Sequence, residues 1–471
     1  MWRVADELMV LKRSGQHILF NAAQVDPAFI PRGGHLAMRA LRKLGRDVFD
    51  KADAETAGLP AGLFDFLTAH NVIEPAGVPL KPPEPMCREC LHPRKSLYLL
   101  LTQSCNQACI YCYNGRETYQ TRQHRMMSFE TAILAVRTAL KTLTPDGTLE
   151  IVLFGGEPLL NWPLAKQIIE FCQGAAFRDS ERKIVFHFTT NLTLLPQELI
   201  LLAQKRPISF LVDIDGPPEI HNKVRPLRNN RPSLARTIRN LNRLKDAGID
   251  VSLRTTVASW NQDMIPEITA FHKEIGGASS AFVPINAVDS DGVVFPETWC
   301  PDPRRVADGL CRAFETGIWP VEKLFPFNEI NRRLFPGSTN RFGCGAPLGN
   351  TPVVSVDGGI YSCIYLVNNK AHEVGQLHAN DFPRQDVLER MRKQVDIHNR
   401  KRCAACGWRN LCGGGCPVGI LGIKNNAKAP DSVKRYTREM ACAVSKTVLE
   451  HLMWHKSKQI EHHHSNTGAS T

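Results

Sequence analysis

The sequence predicts an α/β chain: an open, partial (β/α)6 barrel, preceded by a small winged-helix-like module and followed by a loop-rich domain built around cysteines. Three observations carry this expectation. Between about residues 95 and 290, short β-branched apolar runs alternate six times with amphipathic stretches, which is the pattern of βα units in a parallel sheet. Ahead of them lies "EPAGVPLKPPEP" (74–85), a semi-rigid Pro-rich boundary. Behind them, after about residue 300, the alternation fades and "RCAACGWRNLCGGGCP" (402–417) cannot be an apolar core.

Taken in order, residues 1–80 open with "ELMVLKRSGQHILFNA", two alternating runs around a turn, read as a hairpin. Helical stretches follow at "HLAMRALRKLG" and "AGLFDFLTAHNVI". Residues 81–94 form the linker, which carries the pair Cys87 and Cys90 in "MCREC", a C-x2-C spacing left without a role. The barrel, 95–300, has strands at "SLYLLLT", "TLEIVLFGGEPLL", "KIVFHFTTNLT", "ISFLVDIDG", "VSLRTTVA" and "SAFVPINAV". Six units are too few to close eight strands, so the barrel should stay open. The cysteine-bearing domain occupies 301–455, and a disordered tail is expected over 456–471.

Composition narrows the class. The chain has 471 residues, 43% of them hydrophobic, and a net charge of +12. It shows neither a long apolar run nor a secretory signal, which gives the expectation of a cytosolic protein without a membrane partner. The densest basic stretch, 223–245, reads as a solvated face leading into a helix, because no aromatic platform interleaves its charges. Nucleic acid is therefore disfavoured as a partner. Fifteen cysteines in a reducing compartment point to metal ligation rather than disulfides. Cys172, Cys300 and Cys311 stand apart and read as core residues.

The chemistry concentrates in "SCNQACIYCYN" (104–114), where Cys105, Cys109 and Cys112 share one loop. Zinc normally takes four ligands in paired C-x2-C knuckles, and this loop offers three. Three thiolates can instead hold three irons of a 4Fe–4S cube and leave the fourth open. The C-x3-C-x-aromatic-C pattern resembles the loop of the radical S-adenosylmethionine (SAM) superfamily, and the resemblance covers about residues 95–290. It implies that the open iron chelates S-adenosyl-L-methionine and that reductive cleavage frees a deoxyadenosyl radical. Tyr111 would fill the aromatic position against which the family lays adenine. "GGEP" (Gly155, Gly156, Glu157, Pro158) would take up the methionine amino group. "TTN" with Asn191 and "DIDG" with Asp213 end the next two strands. Asp213 stands where the family more often has serine. Arg254 would meet the SAM carboxylate.

Seven further cysteines follow: Cys344, Cys363, Cys403, Cys406, Cys412, Cys416 and Cys442. Read alone, the C-x2-C-x5-C-x3-C run would permit a zinc ribbon. Behind such a core the set resembles the SPASM extension of radical SAM peptide maturases, which implies two auxiliary clusters and three 4Fe–4S clusters in all. The resemblance assigns Cys403, Cys406, Cys412 and Cys442 to a distal cluster. Cys344, Cys363 and Cys416 go to a proximal one whose fourth iron is either open or filled from afar, for example by Cys300.

The implied function is a peptide or protein maturase, related to thioether-forming maturases, quinohemoprotein amine dehydrogenase maturases and anaerobic sulfatase-maturating enzymes. It would abstract a hydrogen from a ribosomally made peptide and form a crosslink, with a cysteine thioether as the leading expectation. Formylglycine formation and carbon–carbon crosslinking are alternatives, and Asp213 or Asp215 would be the bases available to the former. A zinc-bearing winged-helix binding protein is the non-enzymatic alternative. The partners implied are a precursor with a leader segment, gripped by residues 1–80, and an external one-electron donor of flavodoxin or ferredoxin type.

Overall fold

The computed structural model describes residues 1–14, 16–23, 27–30, 34–45, 47–77, 92–114, 125–174, 181–290, 292–334, 340–379, 383–424 and 429–466. Cys87 and Cys90 lie outside them.

In the N-terminal region β1 (Trp2–Val4) pairs antiparallel with β5 (Ile73–Pro75), tying its two ends together. Between them β2 (Leu8–Arg13), β3 (Gln16–Asn21) and β4 (Ala28–Ile30) form a meander, with Lys12 opposite His17. Helices α1 (Gly34–Leu44), α2 (Lys51–Thr56) and α3 (Ala61–Ala69) complete it. The six-residue α2 escapes a periodicity reading because it is held by a capping box, Asp50 and Asp53 each accepting from the other's backbone. The hairpin has two apolar faces. Leu8, Val10 and Leu19 enter the local core, whereas Met9, Leu11, Ile18 and Phe20 face the body of the protein.

Six parallel strands follow as the sequence predicts: β6 (His92–Thr102), β7 (Leu143–Gly155), β8 (Lys183–Thr190), β9 (Ile208–Asp213), β10 (Val251–Val257) and β11 (Ser279–Pro284), adjacent in chain order. Their outer residues, among them Leu97, Leu99, Ile151, Phe188 and Phe210, are buried under helices including α4 (Phe129–Leu140), α5 (Trp162–Cys172), α6 (Gln197–Lys205) and α8 (Leu234–Asp246). The short α7 (Pro218–Val224) lies beyond the end of β9. The sheet does not close. A two-residue β12 (Leu324–Phe325) extends it past β11, and β13 (Val353–Val354) joins β6 in parallel. β14 (Gly359–Tyr361) and β15 (Glu373–Gln376) then continue it antiparallel, so the cysteine-bearing segment shares one ten-stranded sheet with the barrel.

Helix α9 (Ile265–Glu274), α10 (Pro303–Glu315) and the C-terminal helix Asp431–Asn466 build a second apolar layer with Phe314, Leu449, Leu452 and Met453. This corrects the expected disordered tail from 456. The C-terminal helix is anchored by buried Val448, Leu449, Leu452, Met453 and Trp454, and it carries on through 456 to Asn466. Cys172 and Cys311 are buried, as expected of core residues. No helix among the described residues is long and apolar enough to cross a membrane.

Candidate functional site

The ends of the strands converge on a cavity of about 620 Å³, and Cys105, Cys109 and Cys112 line it. The loop that bears them is clamped from both sides. On the β7 side, Gly156 N donates to Thr102 O (3.0 Å) and Glu157 N to Ser104 O (2.9 Å). Gly155 sits at φ 151°, and a Cβ there would lie 2.5 Å from Thr102 O, so only glycine allows this approach. On the other side Ala108 N donates to Pro226 O (2.8 Å) and Ile110 N to Val224 O (3.0 Å). Arg228 Nε reaches Cys105 O at 2.6 Å.

Glu157 ties the next strand end to this loop. It is fully buried, accepting from Thr190 Oγ1 (2.6 Å), Asn191 N (2.8 Å) and Leu159 N (3.1 Å). Burial pushes its carboxyl up to about 7, against the pull of those donors. Pro158 begins the single 3-10 turn that follows. Asn191 Nδ2 lies 3.7 Å from Cys105 Sγ and 2.9 Å from Asn106 Oδ1. Its Oδ1 accepts from the Thr193 amide and hydroxyl.

A buried chain of alternating charge forms the opposite wall. Arg254 grips Asp213 with two bonds, Nε–Oδ1 2.6 Å and Nη2–Oδ2 3.0 Å. Arg225 reaches Asp213 at 3.3 Å and Asp215 at 2.8 Å. Asp215 in turn accepts from the Tyr111 hydroxyl and from Thr256 N. Two arginines balance two aspartates, which is how buried charges persist. Asp213 is held below the usual carboxylate range by Arg254 and Arg225, although burial opposes them. The Tyr111 ring is buried between Arg225, whose guanidinium carbon is 5.2 Å from the ring centroid, and Trp260, stacked at 5.9 Å. The position offered for the SAM carboxylate, Arg254, is thus already paired to an internal carboxylate.

Arg225 and Arg228 are functional residues that sequence reasoning missed. The stretch at 223–245 is no simple solvated face. Its first residues, through Arg228, pair with the cysteine loop, and only the following α8 is the expected surface helix. The available signal was position: this basic run begins soon after "DIDGPP" (213–218), a strand-end motif.

Burial pushes Cys105 up to about 12 and Cys109 well above the usual thiol range, the latter opposed by Arg225, 3.9 Å from its sulfur. Cys363 is raised by burial and then by the neighbouring thiols Cys416 and Cys344, so these three stand together. Cys403 is raised by burial and, after opposition from Arg400, by Cys412 and Cys406. Cys442 is likewise raised by burial first and then by Cys412. Cys300 packs instead in the apolar layer with Trp299, beside Glu297.

The three thiols that the core loop brings to one cavity are a donor set that fits a 4Fe–4S cluster. Among the described residues no three Cys, His, Asp or Glu side chains are drawn tightly enough together to hold one metal ion. The core trio rims a cavity large enough for a cubane and a nucleoside, and N–H groups of Asn191, Gln107 and Arg225 face the sulfurs.

The sequence model of the Radical SAM superfamily matches residues 99–271. An uncharacterized protein of Methanocaldococcus jannaschii, MJ0907, is 30% identical over 188 residues. That alignment covers 40% of this chain and 62% of MJ0907, so the chain spans under two thirds of that relative. A serine-type anaerobic sulfatase-maturating enzyme of Klebsiella pneumoniae is 23% identical over 344 residues, 69% of this chain and 81% of the enzyme. SuiB of Streptococcus suis, crystallised with S-adenosylmethionine and with precursor peptide SuiA, shares the fold at a TM-score of 0.52 and 14% identity, over 92% of this chain and 100% of SuiB.

Proposed function

We propose that this chain, a radical SAM enzyme by the domain it carries, is a maturase that crosslinks a cysteine of a ribosomally made peptide or protein through a thioether. When bound there, S-adenosylmethionine and a 4Fe–4S cluster would supply hydrogen-abstracting radical chemistry toward the substrate.

The residues of the chain divide the work. Cys105, Cys109 and Cys112 hold the cluster. Gly155 and Gly156 open backbone to the methionine end, and Asn191 fixes the floor beside Cys105. The Arg254–Asp213–Arg225–Asp215 wall presents a charge-balanced face held by its own ion pairs. Two auxiliary clusters, on Cys344/Cys363/Cys416 and on Cys403/Cys406/Cys412/Cys442, complete the proposal.

One observation carries the choice of reaction. Asp213 is the sole carboxylate lining the cavity among the described residues, and two arginines hold it. Formylglycine formation needs a base for the second proton, and an arginine-locked aspartate of lowered pKa is a poor one. Asp215, fully buried under Arg225, is no better placed. Meanwhile Ile364 and Tyr365, the residues immediately after Cys363, line the cavity itself. A proximal metal site one residue from the substrate wall favours thiol chemistry. The relationship to a sulfatase-maturating enzyme and the fold shared with peptide-bound SuiB support a peptide substrate.

The test is anaerobic turnover of cysteine-bearing precursor peptides followed by mass spectrometry. A thioether removes two hydrogens and the alkylatable thiol. An aldehyde that reacts with hydrazide would instead establish formylglycine, and loss of two hydrogens with the thiol intact a carbon–carbon bond. Iron analysis should give about twelve irons per chain, falling to about eight when the core trio is replaced by Ala.

A further inference from the structure

The cysteine loop, the strand-end motifs and the arginine–aspartate chain account for only part of the cavity's lining. Apart from Asn286, the rest is apolar: Val283 and Pro284 at the end of β11, Phe295 from the loop beyond it, Phe154, and Ile364 and Tyr365 from the segment after Cys363. Tyr113 joins them, its ring meeting Tyr365 edge-on at 4.8 Å and lying 6.2 Å from that of Phe154. Two apolar clusters support this lining from behind. Phe154, Tyr113 and Ile364 belong to one, with Leu100 and Val152, and Phe295 packs on another. Val283, Phe295, Ile364 and Tyr365 are nevertheless only half-buried, so they leave apolar surface facing the cavity.

Every charged side chain on the lining is engaged within the chain. Asp213 is held by Arg254 and Arg225, Arg225 reaches Asp215 as well, and Arg228 donates to Cys105 O. A charged side chain entering the cavity would lose its hydration and find no opposite charge left to take it, whereas an apolar one would cover the half-buried wall.

We propose that the substrate residue which gives up its hydrogen is apolar, aliphatic or aromatic, and that Val283, Phe295, Ile364 and Tyr365 select it. The proposal rests on the maturase reading above, and it adds the class of side chain that supplies the carbon of the crosslink. The four selecting residues come from three separate parts of the chain, β11, the loop after it and the segment after Cys363.

The test uses the full chain with its clusters, S-adenosylmethionine and dithionite. It is offered the N-acetyl amides of side-chain-deuterated leucine, phenylalanine, lysine and glutamate at equal millimolar concentration, which need no leader to reach the cavity. Mass spectrometry of the deoxyadenosine formed counts the deuterium taken from each. Leucine and phenylalanine should label it at least about tenfold more than lysine or glutamate. Leucine and lysine present aliphatic C–H bonds of similar strength, so their ratio reports selection rather than reactivity. Phe295→Glu and Val283→Glu each put a carboxylate into the apolar wall, and each should raise labelling from lysine while lowering it from leucine. A misfolded variant can only lose label, so the gain from lysine is the outcome that counts. Equal labelling from all four amides, preference for a charged one, or deoxyadenosine without label from any would overturn the proposal. So would a leucine-to-lysine ratio left unchanged in both variants. Absence of deoxyadenosine from wild type would take down the enzymatic reading and the proposal together. Label from leucine with no thioether in the peptide assay above would sink the crosslinking reading alone.

Discussion

The Cys105–Cys112 loop and the Cys403–Cys442 set offer the same sulfur donors in opposite surroundings. The first hangs from the end of β6 and is bonded on one side to the β7 turn and on the other to residues 224–228, over a sheet whose outward-facing residues are buried under helices. The second rides on two four-residue helices, Lys401–Ala404 and Arg409–Cys412, and on three consecutive glycines at φ 69°, 77° and 85°. A Cβ on the middle one, Gly414, would meet Arg400 Nη2 at 1.4 Å. Apolar burial holds the first site in shape before any cofactor arrives. Only Cys442 of the second set stands on a long helix, Asp431–Asn466; the segment that bears Cys403, Cys406 and Cys412 has little regular structure to hold it, so a cluster there would contribute folding energy as well as chemistry.

That contrast is broken or sharpened first by removing the donors. Replacing Cys105, Cys109 and Cys112 together by Ala should bring deoxyadenosine formation to the level of protein-free buffer, while the melting temperature of the chain barely moves. Replacing Cys403, Cys406 and Cys412 should do the reverse. Peptide-free SAM cleavage should continue, and limited proteolysis should now cut within 401–424. If both triple variants melt alike, the two regions do not differ in the way their surroundings indicate.

Within the core site the largest stability effect belongs to the charge chain. Arg225→Gln leaves Asp215 buried without its ion pair to Arg225, at a cost of about 3–5 kcal/mol in chemical denaturation. It also takes a positive charge from 3.9 Å of Cys109 Sγ, so the cluster's midpoint potential should fall in an EPR-monitored titration. The paired variant Arg225→Leu/Asp215→Leu should recover most of the lost stability. Failure to recover would mean that Arg225 acts chiefly through Asp213.

Glu157 makes a smaller, pH-dependent prediction. Its folded carboxyl titrates at about 7, above the unfolded value of 4.5. Below pH 4.5 both states are protonated and nothing is lost. As pH rises from 4.5 to 7 the unfolded chain ionises first, so stability falls by about 3 kcal/mol and then levels off. Glu157→Gln should lack this slope, and the difference in melting temperature between variant and wild type, followed over that window, checks it.

The sequence made the parallel strands and their terminal motifs legible, because period and β-branching mark buried strands and each motif sits where a strand stops. Cys105, Gly155, Glu157, Asn191 and Asp213 all fell at such ends. Arg225 did not, since its partners Asp213, Asp215 and Cys109 come together only when β9 and the cysteine loop are folded against each other. Helix α2 was invisible for the opposite reason: a single capping box holds it, too short for any period to show. The tail beyond 456 misled because its charged and histidine-rich composition hides the upstream anchors, Leu452 to Trp454, that keep the helix going.

The smallest effect tests whether the N-terminal region is joined rigidly to the cysteine-bearing domain. Asn410 Nδ2 donates to Ala22 O at 2.7 Å, a buried bond next to the Phe20–Trp408 contact and the Glu7–Arg409 ion pair. Asn410→Ala removes the donor and leaves the Ala22 carbonyl facing apolar surface, a loss of about 1 kcal/mol. Glu7→Gln should cost less, because that pair is partly exposed. Hydrogen exchange in β2 and β3 is the sensitive readout. Faster exchange there in Asn410→Ala, with β6 to β11 unchanged, would show the docking to be a local hinge between the N-terminal hairpin and the segment that carries Cys403, Cys406 and Cys412. Uniformly faster exchange would show instead that the hairpin is part of one cooperative unit with the barrel.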